Sequence, residues 1–437
     1  MIFLTYGMET GFFKFASSNK NENVYGSILS SLFITSSLFV LGVFIFKRNI
    51  ANALDYSGNI EFITMLGVIV AIDAFCTIPF AKLRLEERSI RFSVLKTVNV
   101  IVTILCVVFF YEVLPWLVSK NVVSLHFKLK TDVTYVLLSN LIASSVILFL
   151  LLPEILKAKL VFKYKLIKEI LIYSLPLLVA GLAGTVNETL DRVLLKHLLK
   201  GNFDWQYELG IYGANYKIAV LLLIFIQMFR FAAEPFYFNY YKNKDDKEVF
   251  SKIMRLFIAC MMVICMGILF YLNYIKYFID PKFHEGLKIV PIILTAYLFY
   301  GIFFNLSIWY KLKKKTIYGA VLTISGALIT IAINVIFVGK YSYVASSVGH
   351  IVAYFTMMVL SYFIGRKYFP IDYKLGRIAE YVILALIIFT FAFYILNGLR
   401  IFEYLAKTFL LLFYILYVLK REQLITLKSL LKWKLKS

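Results

Sequence analysis

Apolar residues in this chain run on for the length of a membrane crossing instead of recurring every three or four positions. Stretches such as 24–46 and 316–338 exceed the roughly 20 residues that a helix, rising about 1.5 Å per residue, needs to cross a hydrocarbon layer of about 30 Å. Segments of this kind fall at 1–17, 24–46, 61–81, 93–118, 132–155, 169–195, 210–238, 253–275, 286–310, 316–338, 341–365, 378–397 and 401–419. That makes thirteen, the first of them short. The segments at 169–195 and 210–238 are long enough to tilt or bend. No connection exceeds about 15 residues, an ordinary loop length, so no soluble domain is expected beside the membrane. The pattern predicts an all-α integral membrane protein with about 13 transmembrane segments, because a helix satisfies its own backbone polar groups in lipid.

Composition agrees: 61% of the 437 residues are hydrophobic and the mean hydropathy is +0.81. The charged residues then orient the chain. Counting from the first segment, the odd-numbered connections and the tail carry 28 Lys and Arg and the even-numbered connections 12. By the positive-inside rule the odd connections and the C-terminus are cytoplasmic. Much of the net charge of +22 is thus topological, facing anionic lipid headgroups, and no nucleic-acid partner is expected. This orientation puts Met1 on the outer side, so the chain is expected to begin inside the second helix of a longer arrangement whose first helix is missing. The expected domains are an N-terminal bundle at 1–156, a second bundle at 157–368, a helix pair at 369–420 and a basic amphipathic cytoplasmic tail at 421–437.

Chemistry-bearing motifs are sparse. Cys76, Cys106, Cys260 and Cys265 all lie within apolar segments, without the paired spacing of a zinc site, and read as small hydrophobes. Of the four histidines only His350 lies well inside a segment, and no nucleophile triad, phosphate loop or HExxH motif occurs. An enzyme, a cofactor and a metal site are not expected. The informative residues are polar groups inside the spans. Asn187, Glu188, Asp191 and Arg192 crowd one end of a segment that also holds Pro176, Gly181 and Gly184, where a bend is expected. The next segment carries Lys217, Gln227, Arg230 and Glu234; the first holds Glu9 and Lys14, and the third has Asp73 halfway across. Plain alternatives exist for each: Arg192 pairing with Glu188 one turn back, Lys14 and Arg230 reaching to the headgroups, Asp73 holding a structural hydrogen bond. Asp73 is the hardest to dismiss, since a mid-membrane carboxylate costs roughly 2.5–3.5 kcal/mol. Phe13-Lys14-Phe15-Ala16 also recurs as Phe229-Arg230-Phe231-Ala232, each before a short Lys- and Asn-containing loop. A parallel repeat about an axis along the membrane normal, with the substrate site between halves, is a transporter plan.

Three stretches resemble a known family. "ETLDRVLLKHL", "LGIYGANYKIAVLLL" and "FRFAAEPFYF" within 188–238, "IPFAKLRLEERSIRF" at 78–92 and "TYGMETGFFKFAS" at 5–17 are similar to Wzx-type polysaccharide flippases of the multidrug/oligosaccharidyl-lipid/polysaccharide exporter superfamily. The resemblance implies two six-helix bundles related by a pseudo-two-fold along the membrane normal, plus a C-terminal helix pair. It implies transport of an undecaprenyl-pyrophosphate-linked oligosaccharide across the bacterial inner membrane by alternating access. It assigns Lys217 to the pyrophosphate, with Arg230 and Lys14 next and Arg192 as a gate paired with Asp191 or Glu188. Asp73, Glu188 and Asp191 are the candidates for coupling to a proton or sodium ion. Membrane lipids and a glycan polymerase of the same pathway are the other implied partners. The rivals are a drug or cation antiporter of the same superfamily, which would want anionic cavity residues, and a polytopic glycan polymerase or ligase, which would want a large outer loop.

Overall fold

A computed structural model describes residues 2–18, 22–53, 58–120, 132–159, 161–199, 204–243, 247–394 and 401–424; most of the expected tail lies outside them. The principal helices are α1 (Met8–Ser18), α2 (Glu22–Ala53), α3 (Ile60–Leu85), α4 (Ser89–Val108), α5 (Asp132–Leu150), α6 (Tyr164–Leu198), α7 (Trp205–Asn243), α8 (Glu248–Phe270), α9 (Val290–Leu306), α10 (Ile317–Tyr368), α11 (Leu375–Tyr394) and α12 (Ile401–Arg421). Among the described residues eleven helices are long and apolar enough to span a membrane. One of them is two crossings. At 52 residues α10 is more than twice the length a bilayer needs, and Ser342 breaks it with φ 48° and ψ −139°. Ser346 donates to Asn334 at 2.5 Å and Gly349 faces Ile333, so the arms on either side of Ser342 run antiparallel. The Ser342 hydroxyl bonds Glu208 of α7, which holds a conformation that costs of order 1–3 kcal/mol outside glycine. With this division the thirteen expected segments correspond to observed helices, the short first one being α1. The chain is an all-α, multi-pass integral membrane protein.

Proline accounts for the irregular turn after α4. Pro115 has no N–H to give the preceding turn, and the helix passes through a π-helical stretch, Phe109–Val113, before continuing as Leu114–Ser119. The contacts divide the chain into two units, Met1–Leu182 with Glu234–Lys242, and Ala183–Ala233 with Asn243–Ser437. The first boundary falls inside α6, between Gly181 and Gly184.

In the first unit, Gly7 sits at φ 72° just before α1, where a Cβ would meet the Ser174 carbonyl oxygen at 2.6 Å, so this close approach requires glycine. Thr10 donates to buried Glu234 at 2.7 Å, and Glu9 pairs with Arg84 of α3. Glu154, 4% exposed, accepts from Arg91 at 2.9 Å and Arg88 at 3.4 Å; burying a carboxylate is tolerable only with such partners. Cys76 lies in an apolar cluster with Phe80, Leu83, Leu95, Ile147 and Leu151, the small-hydrophobe role expected of it.

In the second unit, α9 packs along α10, and Trp309, fully buried, stacks on Tyr368 and donates to Ser361 at 3.2 Å. Arg255 of α8 forms a two-pronged pair with Glu422, at 2.7 and 2.9 Å, and Tyr381 of α11 adds a third bond at 2.8 Å. Both charges are 2% exposed, so this pair pins the end of α12 to α8 and α11.

Candidate functional site

A buried polar cluster lies in the second unit. α6 builds one wall of it: Asn187 and Asp191, four residues apart, share its buried face, while Val186, Thr189 and Val193 form the exposed one. Asp191 is 0% exposed and accepts from the Tyr212 hydroxyl of α7 and, at 3.1 Å, faces Nε2 of His350 from the second arm of α10. Such a carboxylate is stable in an apolar span because both neighbours can donate to it. A ring of tyrosines surrounds it. Tyr297 of α9 donates to Tyr216 of α7 at 2.6 Å, and the Tyr354 ring lies 5.5 Å from His350 and 4.8 Å from Tyr300. Glu188 and the Tyr354 hydroxyl lie against each other, and His350 Nδ1 is buried without a hydrogen-bond partner among the described residues. A group of buried titratable side chains with an unpaired ring nitrogen can take up a proton, which would supply the absent bond. One turn before Asp191 on α6, Asn187 accepts from Thr330 at 2.5 Å, extending the polar seam into the first arm of α10.

The pairing expected for Arg192 is not formed. Its guanidinium lies 4.8 Å over the Tyr216 ring, and it makes no ion pair with Glu188 or Asp191. The reason is geometric: Asp191 is already engaged by Tyr212 and His350, and the ring across the helix interface offers Arg192 a cation–π contact instead. Lys217 is exposed and opens a stripe on α7 that continues through Leu221, Ile224 and Met228. Arg230 is exposed off that stripe, with its guanidinium 5.5 Å over Phe304 of α9. In the first unit Lys14 is half-buried and lies 5.7 Å over Tyr241, so the two members of the sequence repeat share a cation-over-ring contact. Asp73, half-buried on α3, accepts from Ser144 of α5 at 2.8 Å. Glu188, Asp191 and Arg192 therefore gather in one cluster of the second unit, whereas Asp73 and Lys14 belong to the first.

The sequence profile of a family described as polysaccharide biosynthesis protein matches residues 1–279, well over half of the chain. The chain belongs to that family. Its fold is that of the MATE transporters. A mutant of the Vibrio cholerae MATE transporter VcmN superposes with a TM-score of 0.68 at 11% identity, over 84% of each chain. An outward-facing multidrug resistance MATE family transporter of the MOP superfamily gives 0.65 at 12% identity, over 83% of each chain. No curated protein sequence matches the chain. The family match, on a fold shared with the MATE transporters, bears out the resemblance to Wzx-type polysaccharide flippases.

Proposed function

We propose that this protein is a flippase that carries an undecaprenyl-pyrophosphate-linked oligosaccharide across the bacterial inner membrane by alternating access, with its C-terminus in the cytoplasm. The observation that carries the proposal is the meeting of a polysaccharide-biosynthesis sequence with a transporter fold. Such a substrate carries its charge on the pyrophosphate, which cations contact through charge-assisted hydrogen bonds that strengthen away from bulk water. Lys217 is the first choice for that contact, followed by Arg230, Lys14 and Arg192. Support comes from Lys217 and Arg192, which make no ion pair with a carboxylate among the described residues and so keep their charge for a ligand. Glu188 and Asp191, with His350 facing Asp191, hold the coupling ion, which is a proton in this reading because an imidazole and two carboxylates can share one. Asp73 is the corresponding candidate in the first unit. No bond is broken in the cycle, and a glycan polymerase of the same pathway receives the delivered unit.

The test is genetic and lipid-chemical. Loss of the protein is expected to leave lipid-linked oligosaccharide made but inaccessible from outside, with surface glycan absent. A second reading, a drug or cation antiporter, draws on the buried carboxylates of α6 and on the multidrug MATE transporter that shares the fold. Efflux of cationic dyes with normal surface glycan in the deletion strain would favour it.

A further inference from the structure

The second unit holds an apolar groove of about 270 Å³ that plays no part in the transport argument. Met254 and Ile258 of α8, Ile302 of α9, Val359 and Phe363 of α10 and Leu375 of α11 line it, and it exposes no polar wall. It opens sideways: Phe363 is 64% and Leu375 54% exposed. Apart from Tyr373 in the 369–374 connection, its walls belong to helices long and apolar enough to span a membrane, near the ends that carry the basic connections, where the edge of the hydrocarbon layer is expected. At Leu306, Tyr362 and Tyr373 the groove meets a small enclosure lined by Arg366.

We propose that this groove binds one acyl chain of an anionic glycerophospholipid, whose phosphate is received by Arg366. Apolar walls alone cannot select a lipid, because neighbouring lipid tails are equally apolar. Selection has to come from the headgroup. Arg366 is exposed and makes no ion pair or side-chain hydrogen bond among the described residues, so its fork of donors is available to a phosphate. Lys367 follows it in the same turn and Arg377 lies in the first turn of α11, whereas Lys374 between them is engaged by Glu248 at 2.5 Å. A zwitterionic headgroup would bring its own cation into this basic surround and be disfavoured, while a net negative one would not.

Native mass spectrometry of the full chain in detergent, titrated with phosphatidylglycerol and with phosphatidylcholine of the same chains, reads the proposal. One phosphatidylglycerol is expected to bind about tenfold more tightly than phosphatidylcholine, the size of one charge-assisted contact. Arg366→Ala should erase that preference and Arg366→Lys should keep part of it. Val359→Trp, which fills the groove, should remove the bound lipid; Leu375→Trp makes the same test at the exposed mouth, where folding is not at stake. Equal affinity for the two lipids, or unchanged phosphatidylglycerol binding in Arg366→Ala, overturns the phosphate contact. Unchanged binding in both Trp variants overturns the groove. Retention of undecaprenyl phosphate with no phosphatidylglycerol bound would give the groove to a transported lipid's tail and overturn the proposal as well.

Discussion

Asp191 shows how a charge is kept inside an apolar span: two side chains from α7 and α10 converge on it, and its charge is met by donors in place of water. Asp191→Asn is expected to cost about 1–3 kcal/mol of stability, the range for disturbing a buried hydrogen-bonded group, and to make export independent of the proton gradient. Thermal melting and export measured with and without an uncoupler check both halves; export that still follows the gradient would remove Asp191 from the coupling set. Asp73 makes a contrasting case. Among the described residues its side-chain donor is Ser144, and an amide oxygen accepts that bond as well as a carboxylate does. Asp73→Asn should therefore stay within about 1 kcal/mol of the parent in stability while losing gradient dependence, and a variant that melts early but remains coupled would make Asp73 a structural group instead. The sequence marked His350 as the histidine well inside a segment, but neither its pairing with Asp191 nor the tyrosines around that carboxylate could be found there. Asp191 and His350 are separated by 159 positions, and with 31 tyrosines in the chain no single one carries a signal. Arg192 misled for a related reason, since the spacing rule that pairs it with Glu188 describes one helix in water and not a helix facing an aromatic neighbour.

The elements themselves were legible because crossing a membrane is a local property: length and hydropathy decide it before any helix packs. The division of α10 into two crossings was legible too, as the Gly339-Lys340 interval between two apolar segments, although the break falls at Ser342 and its brace from Glu208 was not legible. The clamp on α12 was invisible, because Arg255 and Glu422 stand 167 positions apart and neither belongs to a motif. Burial alone would raise the Glu422 carboxyl, but the bonds from Arg255 and Tyr381 outweigh it and hold the group below the usual carboxylate range. A depressed native pKa stabilises the fold fully above the unfolded value of about 4.3, and that contribution is lost as the pH falls through the lower native value. Glu422→Gln leaves Arg255 buried without its counter-charge and should cost about 3 kcal/mol at neutral pH. Melting curves taken from neutral pH downward should show the gap between parent and variant closing in acid. A gap that does not depend on pH would mean that the pair contributes packing and not charge.

At the scale of the whole molecule, the basic connections set the expected orientation of the chain, and the fold is shared with the MATE transporters. Single cysteines at Asp204 and Asp280 are expected to react with impermeant thiol reagents from outside intact cells, and cysteines at Ser89 and Asp372 to be protected. The opposite pattern would reverse the orientation. Substrate identity was the least legible property, because a lipid-linked glycan is recognised by a few cations whose meaning depends on what they face. Lys217, exposed on α7, is the one the account relies on most. The most direct measurement is transfer of an undecaprenyl-pyrophosphate-linked oligosaccharide between the leaflets of proteoliposomes containing the purified protein, followed by a glycan-binding probe outside. The protein is expected to accelerate this transfer, and Lys217→Ala, equally folded and equally incorporated, to abolish it. Transfer no faster than in protein-free liposomes, or a Lys217→Ala protein as active as the parent, would contradict the proposal.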